Sequence, residues 1–133
     1  MKTILAVDDS PSVLLMLSSV LRAKGFEVLE ANSGYEALGK MDGRCIDLVV
    51  TDLIMLGMDS IELIRKIRSS AVYGNIPILM VTTQSNEEMK KKGKIAGATD
   101  WIVKPFSVES LIALIRKTIG RLATEDRPRI PAD

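Results

Sequence analysis

Five short runs rich in apolar and β-branched residues, at 3–7, 26–30, 46–51, 77–82 and 99–103, alternate with five segments whose apolar residues recur at helical spacing. Parallel strands need a crossover between them, usually a helix, so this alternation predicts one parallel sheet covered by helices on both faces. The expected fold class is α/β, a doubly wound five-stranded parallel sheet. The first, third and fourth runs are almost continuously apolar, as strands buried on both faces require. Phe26-Glu27-Val28-Leu29-Glu30 partly alternates and suits an edge. A chain of 133 residues holds one core and is too short for two ordinary domains. The periodicity ends near Leu122, which gives one domain over 1–122. Residues 123–133, with Pro128 and Pro131 among charges, read as a flexible tail.

The helices carry their own end signals. Ser10-Pro11 supplies a cap followed by proline in the first turn. Ser33 and Glu36, Asp59 and Glu62, and Ser85 and Glu88 each pair a capping residue with Glu three positions later, and Ser107 opens the last helix. Gly25, Gly43 and Gly97 stand where helices should stop. In the first helix the spacing predicts Val13, Met16, Leu17, Val20 and Leu21 on the sheet side, leaving Leu14 and Leu15 off it. In the last helix Val108, Leu111, Ile112, Ile115, Ile119 and Leu122 form the stripe, with Leu114 outside. The fourth helix is weaker: Met89, Ile95 and Ala96 are its candidate core residues, and Gly93 costs about 1 kcal/mol relative to alanine.

Polar residues stand where the apolar runs end: Asp8 and Asp9, Asp52, Thr82, and Lys104. In an open parallel sheet the carboxyl ends of the strands converge on one edge, where ligands bind. Two carboxylates ~4 Å apart at an effective dielectric near 20 repel by roughly 4 kcal/mol, so Asp8, Asp9 and Asp52 need a cation to stay ionised together. Hard oxygen donors favour Mg2+, with Mn2+ or Ca2+ as competitors. One Asp is then free to attack phosphorus and form an acyl phosphate, while Lys104 and Thr82 offer a charge and a neutral donor to phosphoryl oxygens.

Composition removes other chemistries. The chain has no histidine, which excludes Ser-His-Asp and Cys-His nucleophile pairs and His-ligated zinc. Its one cysteine, Cys45, is expected to be a small buried or half-buried filler. With 18 basic and 17 acidic residues there is no support for a nucleic-acid or membrane surface. The basic Lys90, Lys91, Lys92 and Lys94 suit a solvated face or an acidic partner. No apolar run is long enough to span a bilayer, and Met1-Lys2-Thr3 leads directly into a strand, so a cytosolic protein without membrane insertion is expected.

Ala6-Val7-Asp8-Asp9-Ser10, Val49-Val50-Thr51-Asp52, Leu79-Met80-Val81-Thr82 and Gly97-Ala98-Thr99-Asp100-Trp101-Ile102-Val103-Lys104-Pro105-Phe106 together resemble the receiver domain of two-component response regulators, of the stand-alone chemotaxis type. The likeness runs from about Lys2 to Leu122. It implies a flavodoxin-like (βα)5 fold with strand order 2-1-3-4-5. It further implies that Asp52 takes a phosphoryl group from a phosphohistidine on a histidine kinase or phosphotransfer protein. Asp9, Asp52 and the backbone carbonyl of Ile54 would bind Mg2+ directly, and Asp8 largely through water. Lys104 and Thr82 would meet the phosphoryl oxygens, Trp101 would be the switch aromatic, and the Lys104-Pro105 bond would be cis. The fourth helix, fifth strand and fifth helix would form the output face. Such a protein is a signalling phosphoacceptor that assists its own phosphorylation and dephosphorylation rather than an enzyme acting on an outside substrate.

The loop after Asp52 departs from the family's Met-Pro-x-Met-Asp-Gly, reading Met55-Leu56-Gly57-Met58-Asp59-Ser60. Ile54 and Thr83 stand where bulk would obstruct attacking water and prolong the phosphorylated state. Leu14, Leu15, Ile54, Met55 and Leu56 are expected to form an apolar rim that docks the phosphodonor. The rival readings are a receiver-fold binding module that signals without phosphorylation, a small Mg2+-dependent aspartyl phosphatase, and a flavin-binding protein. An intact acid set argues against the first, the lack of room for a substrate cap against the second, and the absence of a phosphate loop against the third.

Overall fold

The computed structural model describes residues 1–53, 55, 57–83 and 87–126, the side chains at 83 and 121–126 excepted. Its elements are β1 (Thr3–Val7), α1 (Pro11–Ala23), β2 (Glu27–Ala31), α2 (Gly34–Lys40), β3 (Leu48–Asp52), α3 (Ser60–Arg68), β4 (Ile78–Thr83), α4 (Glu87–Ala96), β5 (Asp100–Lys104) and α5 (Val108–Asp126). All strand pairs are parallel, in the order β2-β1-β3-β4-β5. The partly alternating β2 is an edge, as its pattern implied. α5 continues past Leu122 to Asp126, and residues 127–133 lie outside the described residues.

Side chains alternate across the sheet and build two cores. Leu5, Val7, Val49, Ile78 and Met80 face Ile61, Ile64 and Ile67 of α3, with Met89 and Ala96 of α4 packed at the margin. Ile4, Ala6, Leu48, Val50, Leu79 and Val81 face Leu14, Leu17 and Leu21 of α1 and Leu111, Ile112 and Ile115 of α5. Each fully buried aliphatic side chain contributes about 1.5–3 kcal/mol, so the central strands are held from both sides.

The caps hold where the residues are described. Ser10, Ser33 and Asp59 accept from the backbone N–H groups of Val13, Glu36 and Glu62, and Ser107 accepts from Ser110. The Ser85 cap lies outside the described residues. Gly25, Gly43 and Gly97 all have positive φ, as helix stops require.

The structure corrects the readings of α1, α5 and Cys45. In α1 the buried residues are Leu14, Leu17, Ser18 and Leu21, whereas Met16 is 46% exposed. Positions 14, 17, 18 and 21 also follow helical spacing, and a fully buried serine in the stripe disguised it. In α5 Thr118 is buried and Leu114 partly so, while Val108 is exposed at the first turn; the side chain of Leu122 lies outside the described residues. The Thr118 hydroxyl donates to the Leu114 carbonyl, which lets a polar residue occupy the inner face. Cys45 is exposed, because β3 begins at Leu48 and Cys45 belongs to the irregular segment before it.

Gly93 is more than a helix-weakening residue. Ile95, expected inside, is 83% exposed, and it is Gly93 that faces the sheet. A Cβ there would stand 2.8 Å from Met80 Cε, closer still to its Sδ, and 3.6 Å from Ile61 Cδ1. Met80 is fully buried and has little room to yield. Gly93→Ala should therefore cost about 1–2 kcal/mol despite alanine's higher helix propensity. In a Met80→Ala background the same change should become stabilising, by up to about 1 kcal/mol. Urea unfolding of the four proteins of this double-mutant cycle measures both.

Candidate functional site

The site is built from strand ends. β1 stops at Val7, and the chain turns through Asp8 and Asp9 into the cap of α1. Asp8 is buried, and its Oδ1 accepts from the Ser10 N–H at 2.9 Å, which fixes the turn. Its own N–H donates to the Ala31 carbonyl at the end of β2. Asp52 is the last residue of β3, and one carboxylate oxygen from each of Asp8, Asp9 and Asp52 lies within 4.8 Å of the others.

β4 and β5 bring the remaining groups. Val81 pairs with Asp52 in the β3–β4 ladder, and Thr82, buried one residue further on, pairs with Val103. Lys104, the last residue of β5, places its Nζ 3.3 Å from Asp52 Oδ1. The following Lys104-Pro105 bond is cis. The structure thus gathers Asp8, Asp9, Asp52, Thr82 and Lys104 at one edge of the sheet. Ile54 lies outside the described residues, as do Leu56 and the side chain of Thr83.

Burial of its carboxylate pushes the pKa of Asp52 above the ordinary aspartate value, the Lys104 ammonium pulls it back, and Asp8 and Asp9 raise it further. A divalent cation fits this donor set. The ligands are all oxygen, and an octahedral Mg2+ shell with oxygens at about 2.1 Å spans roughly 4.2 Å between opposite ligands, close to the separation available.

Near Asp52 the sequence shows Ser60 in place of the family's glycine but not what its hydroxyl meets. The hydroxyls of Ser60 and Thr51 both donate to the Asp52 backbone carbonyl, the latter at 3.0 Å, and lie 3.3 Å from each other. Both residues are fully buried.

Residues 4–116 match the family described as the response regulator receiver domain. The chain belongs to this family. The receiver domain is 35% identical over 125 residues to the phosphate regulon transcriptional regulatory protein PhoB of Pseudomonas aeruginosa, covering 94% of this chain and 55% of that protein. Against the transcriptional regulatory protein TrcR of Mycobacterium tuberculosis the identity is 34%, over 94% of this chain and 48% of the relative. The chain therefore spans about half the length of these relatives. Among solved structures, the chemotaxis protein CheY4 of Vibrio cholerae superposes with a TM-score of 0.84 at 40% identity, covering 89% of this chain and 98% of that one. A CheY-like receiver domain protein of Methanospirillum hungatei gives 0.87 at 27% identity, covering 94% and 98%.

In this receiver domain Trp101 is half-buried on β5 and packs against the α3 side of the core. Lys90 and Lys94 of α4 place their ammonium groups 5.7 and 5.6 Å from the indole centroid, and Lys90 also pairs with Glu87 at 2.7 Å. Two of the four α4 lysines thus cover an aromatic face. The expected apolar rim is different from its prediction: Leu14 and Met55 are buried, and the exposed large apolar residues of α1 are Leu15 and Met16. Rotation of the α1 stripe turns Leu14 inward. Among the described residues no helix is long and apolar enough to cross a membrane.

Proposed function

We propose that Asp52 accepts a phosphoryl group from a phosphohistidine of a histidine kinase or phosphotransfer protein, and that the resulting change of charge is passed to a partner through α4, β5 and α5. The observation that carries this is the half-buried Asp52 carboxylate held between the Lys104 ammonium and two further aspartates at a strand-end edge. A carboxylate oxygen of Asp52 forms the new bond to phosphorus as the donor's P–N bond breaks, and the imidazole leaves with its electron pair and is protonated.

Asp9 and Asp52 would hold Mg2+ directly, with the Ile54 carbonyl, and Asp8 would reach it through water. The bound cation would offset negative charge on the phosphoryl oxygens. Lys104, already 3.3 Å from Asp52 Oδ1, would exchange that pairing for the transferred group. Thr82 would donate its hydroxyl to another phosphoryl oxygen. Trp101, held beside α4, would respond to that movement. The receiver unit runs to the end of α5 at Asp126 rather than stopping at Leu122, and the domain acts in the cytosol, promoting its own phosphorylation and hydrolysis without an outside substrate.

Incubation with acetyl phosphate and Mg2+ tests the reading. Mass spectrometry should find one added phosphoryl group, absent in Asp52→Asn and absent when the metal is chelated. Equal addition to Asp52→Asn, or none to the wild type, would overturn it.

A further inference from the structure

The peptide unit joining Asp52 to Leu53 is fixed at both of its polar ends. On one side the Leu53 N–H donates to the Val81 carbonyl of β4 at 2.8 Å. On the other, the Asp52 carbonyl receives the Ser60 and Thr51 hydroxyls. The β1–β3 ladder ends at the Val7–Thr51 pair, so the Asp52 carbonyl lies beyond the last ladder position of β1. Side-chain hydroxyls fill that place. Because a peptide unit is planar, clamping its N–H and its C=O leaves little freedom in the Asp52 ψ angle, and so in the direction of its side chain.

The clamp also stands on rigid parts. Thr51 belongs to a central strand, and Ser60 is the first residue of α3, whose cap Asp59 accepts from the Glu62 N–H at 2.9 Å. One carbonyl–hydroxyl contact therefore joins Asp52 at the end of β3 to Ser60 at the start of α3, and Met55 and Met58 are buried. A group held by packed elements keeps its geometry through a reaction better than one held by a loop alone.

We infer that Ser60 and Thr51 are positioning residues for the phosphoacceptor: their hydroxyls set the Asp52 backbone so that its carboxylate meets Asp8, Asp9 and Lys104 together. The inference rests on the phosphoacceptor reading of Asp52. It predicts that loss of the Ser60 hydroxyl impairs phosphoryl uptake and cation binding through one cause. A small misplacement of a reacting group lowers its rate steeply, and about tenfold slower uptake is expected for Ser60→Ala. The acetyl phosphate concentration giving half-maximal rate should stay unchanged, because the hydroxyl does not touch the donor.

The experiment compares wild type, Ser60→Ala, Thr51→Val and Thr51→Ser by time-resolved mass spectrometry with acetyl phosphate, and by calorimetric titration with Mg2+. Thermal unfolding in chelator establishes that each variant is folded at the assay temperature. Slower maximal uptake and weaker Mg2+ binding in Ser60→Ala and Thr51→Val, with Thr51→Ser close to wild type, are the expected results. Uptake and Mg2+ affinity of Ser60→Ala within twofold of wild type would overturn the inference, as would Thr51→Ser behaving like Thr51→Val. Should Ser60→Ala not fold, the near-isosteric Thr51→Val against Thr51→Ser decides. No mass gain in wild type would instead defeat the phosphoacceptor reading, and the Mg2+ affinities would then decide the positioning role alone.

Discussion

Arg68→Leu should lower the unfolding free energy by about 3–5 kcal/mol and the midpoint of thermal unfolding by roughly 10–15 °C. Arg68 ends α3, and its half-buried guanidinium serves four acceptors in two connections, α3–β4 and α4–β5. Nε donates to the Gly97 carbonyl at 2.9 Å, Nη1 to the carbonyls of Gly74 (3.2 Å) and Ile76, and Nη2 to Thr99 Oγ1 at 3.4 Å. Thr99 Oγ1 in turn accepts from the Ile78 N–H at the start of β4. Hydrogen bonds from a charged donor contribute about 1.5–3 kcal/mol each, and leucine would leave carbonyls without partners, but the losses are not additive. Arg68→Lys should recover less than half, since one ammonium cannot reproduce a planar fork. Calorimetric or urea unfolding of the three proteins measures the series. The same contact explains Gly97. Its φ is +123°, and a Cβ would stand 2.8 Å from Arg68 Cγ, so backbone conformation and close packing both demand glycine.

Arg68 illustrates what a single sequence conceals. The strands, the edge position of β2 and most helix caps are local features, legible because apolar alternation and capping residues act over a few positions. Arg68 looks like any basic residue near a helix C-terminus, and its partners lie up to 31 positions away. Helix propensity, a local property, shows Gly93 only as a local cost, whereas its reason is Met80 on another element. The buried stripe of α1 is concealed for a related cause. Two helical registers fit its leucines, and only packing against the sheet chooses Leu14 over Met16.

The site was more legible than its supports. Asp8, Asp9, Asp52, Thr82 and Lys104 stand at strand ends, and sheet topology alone brings strand ends together. In the sequence Ser60 is legible only as a departure from the family's glycine. In the fold its hydroxyl meets the carbonyl of Asp52. Ser60 thus brings a hydrogen bond that glycine cannot make.

In metal-free protein Asp52→Asn should be more stable than wild type at pH 7, by about 1–2 kcal/mol, with the gap closing as pH falls. The sign follows from the direction of the Asp52 pKa. Burial first, then Asp8 and Asp9, raise it above the unfolded value, and Lys104 offsets only part of the rise. Between the unfolded and folded pKa values the folded state binds more protons than the unfolded one, so wild-type stability falls as pH rises through that window. Asparagine keeps the shape without the charge and removes this dependence. Unfolding in chelator at a series of pH values should show wild type approaching the variant on the acidic side, below the folded pKa of Asp52. Adding Mg2+ at pH 7 should reverse the order, because a ligand that binds only the folded state stabilises whichever protein binds it more tightly, and the variant has lost one of its carboxylates. A wild type more stable than Asp52→Asn in chelator at pH 7 would show that the Lys104 pairing outweighs burial and repulsion. The acid cluster would then be at ease without a cation, and the charge argument for a metal would lose its force.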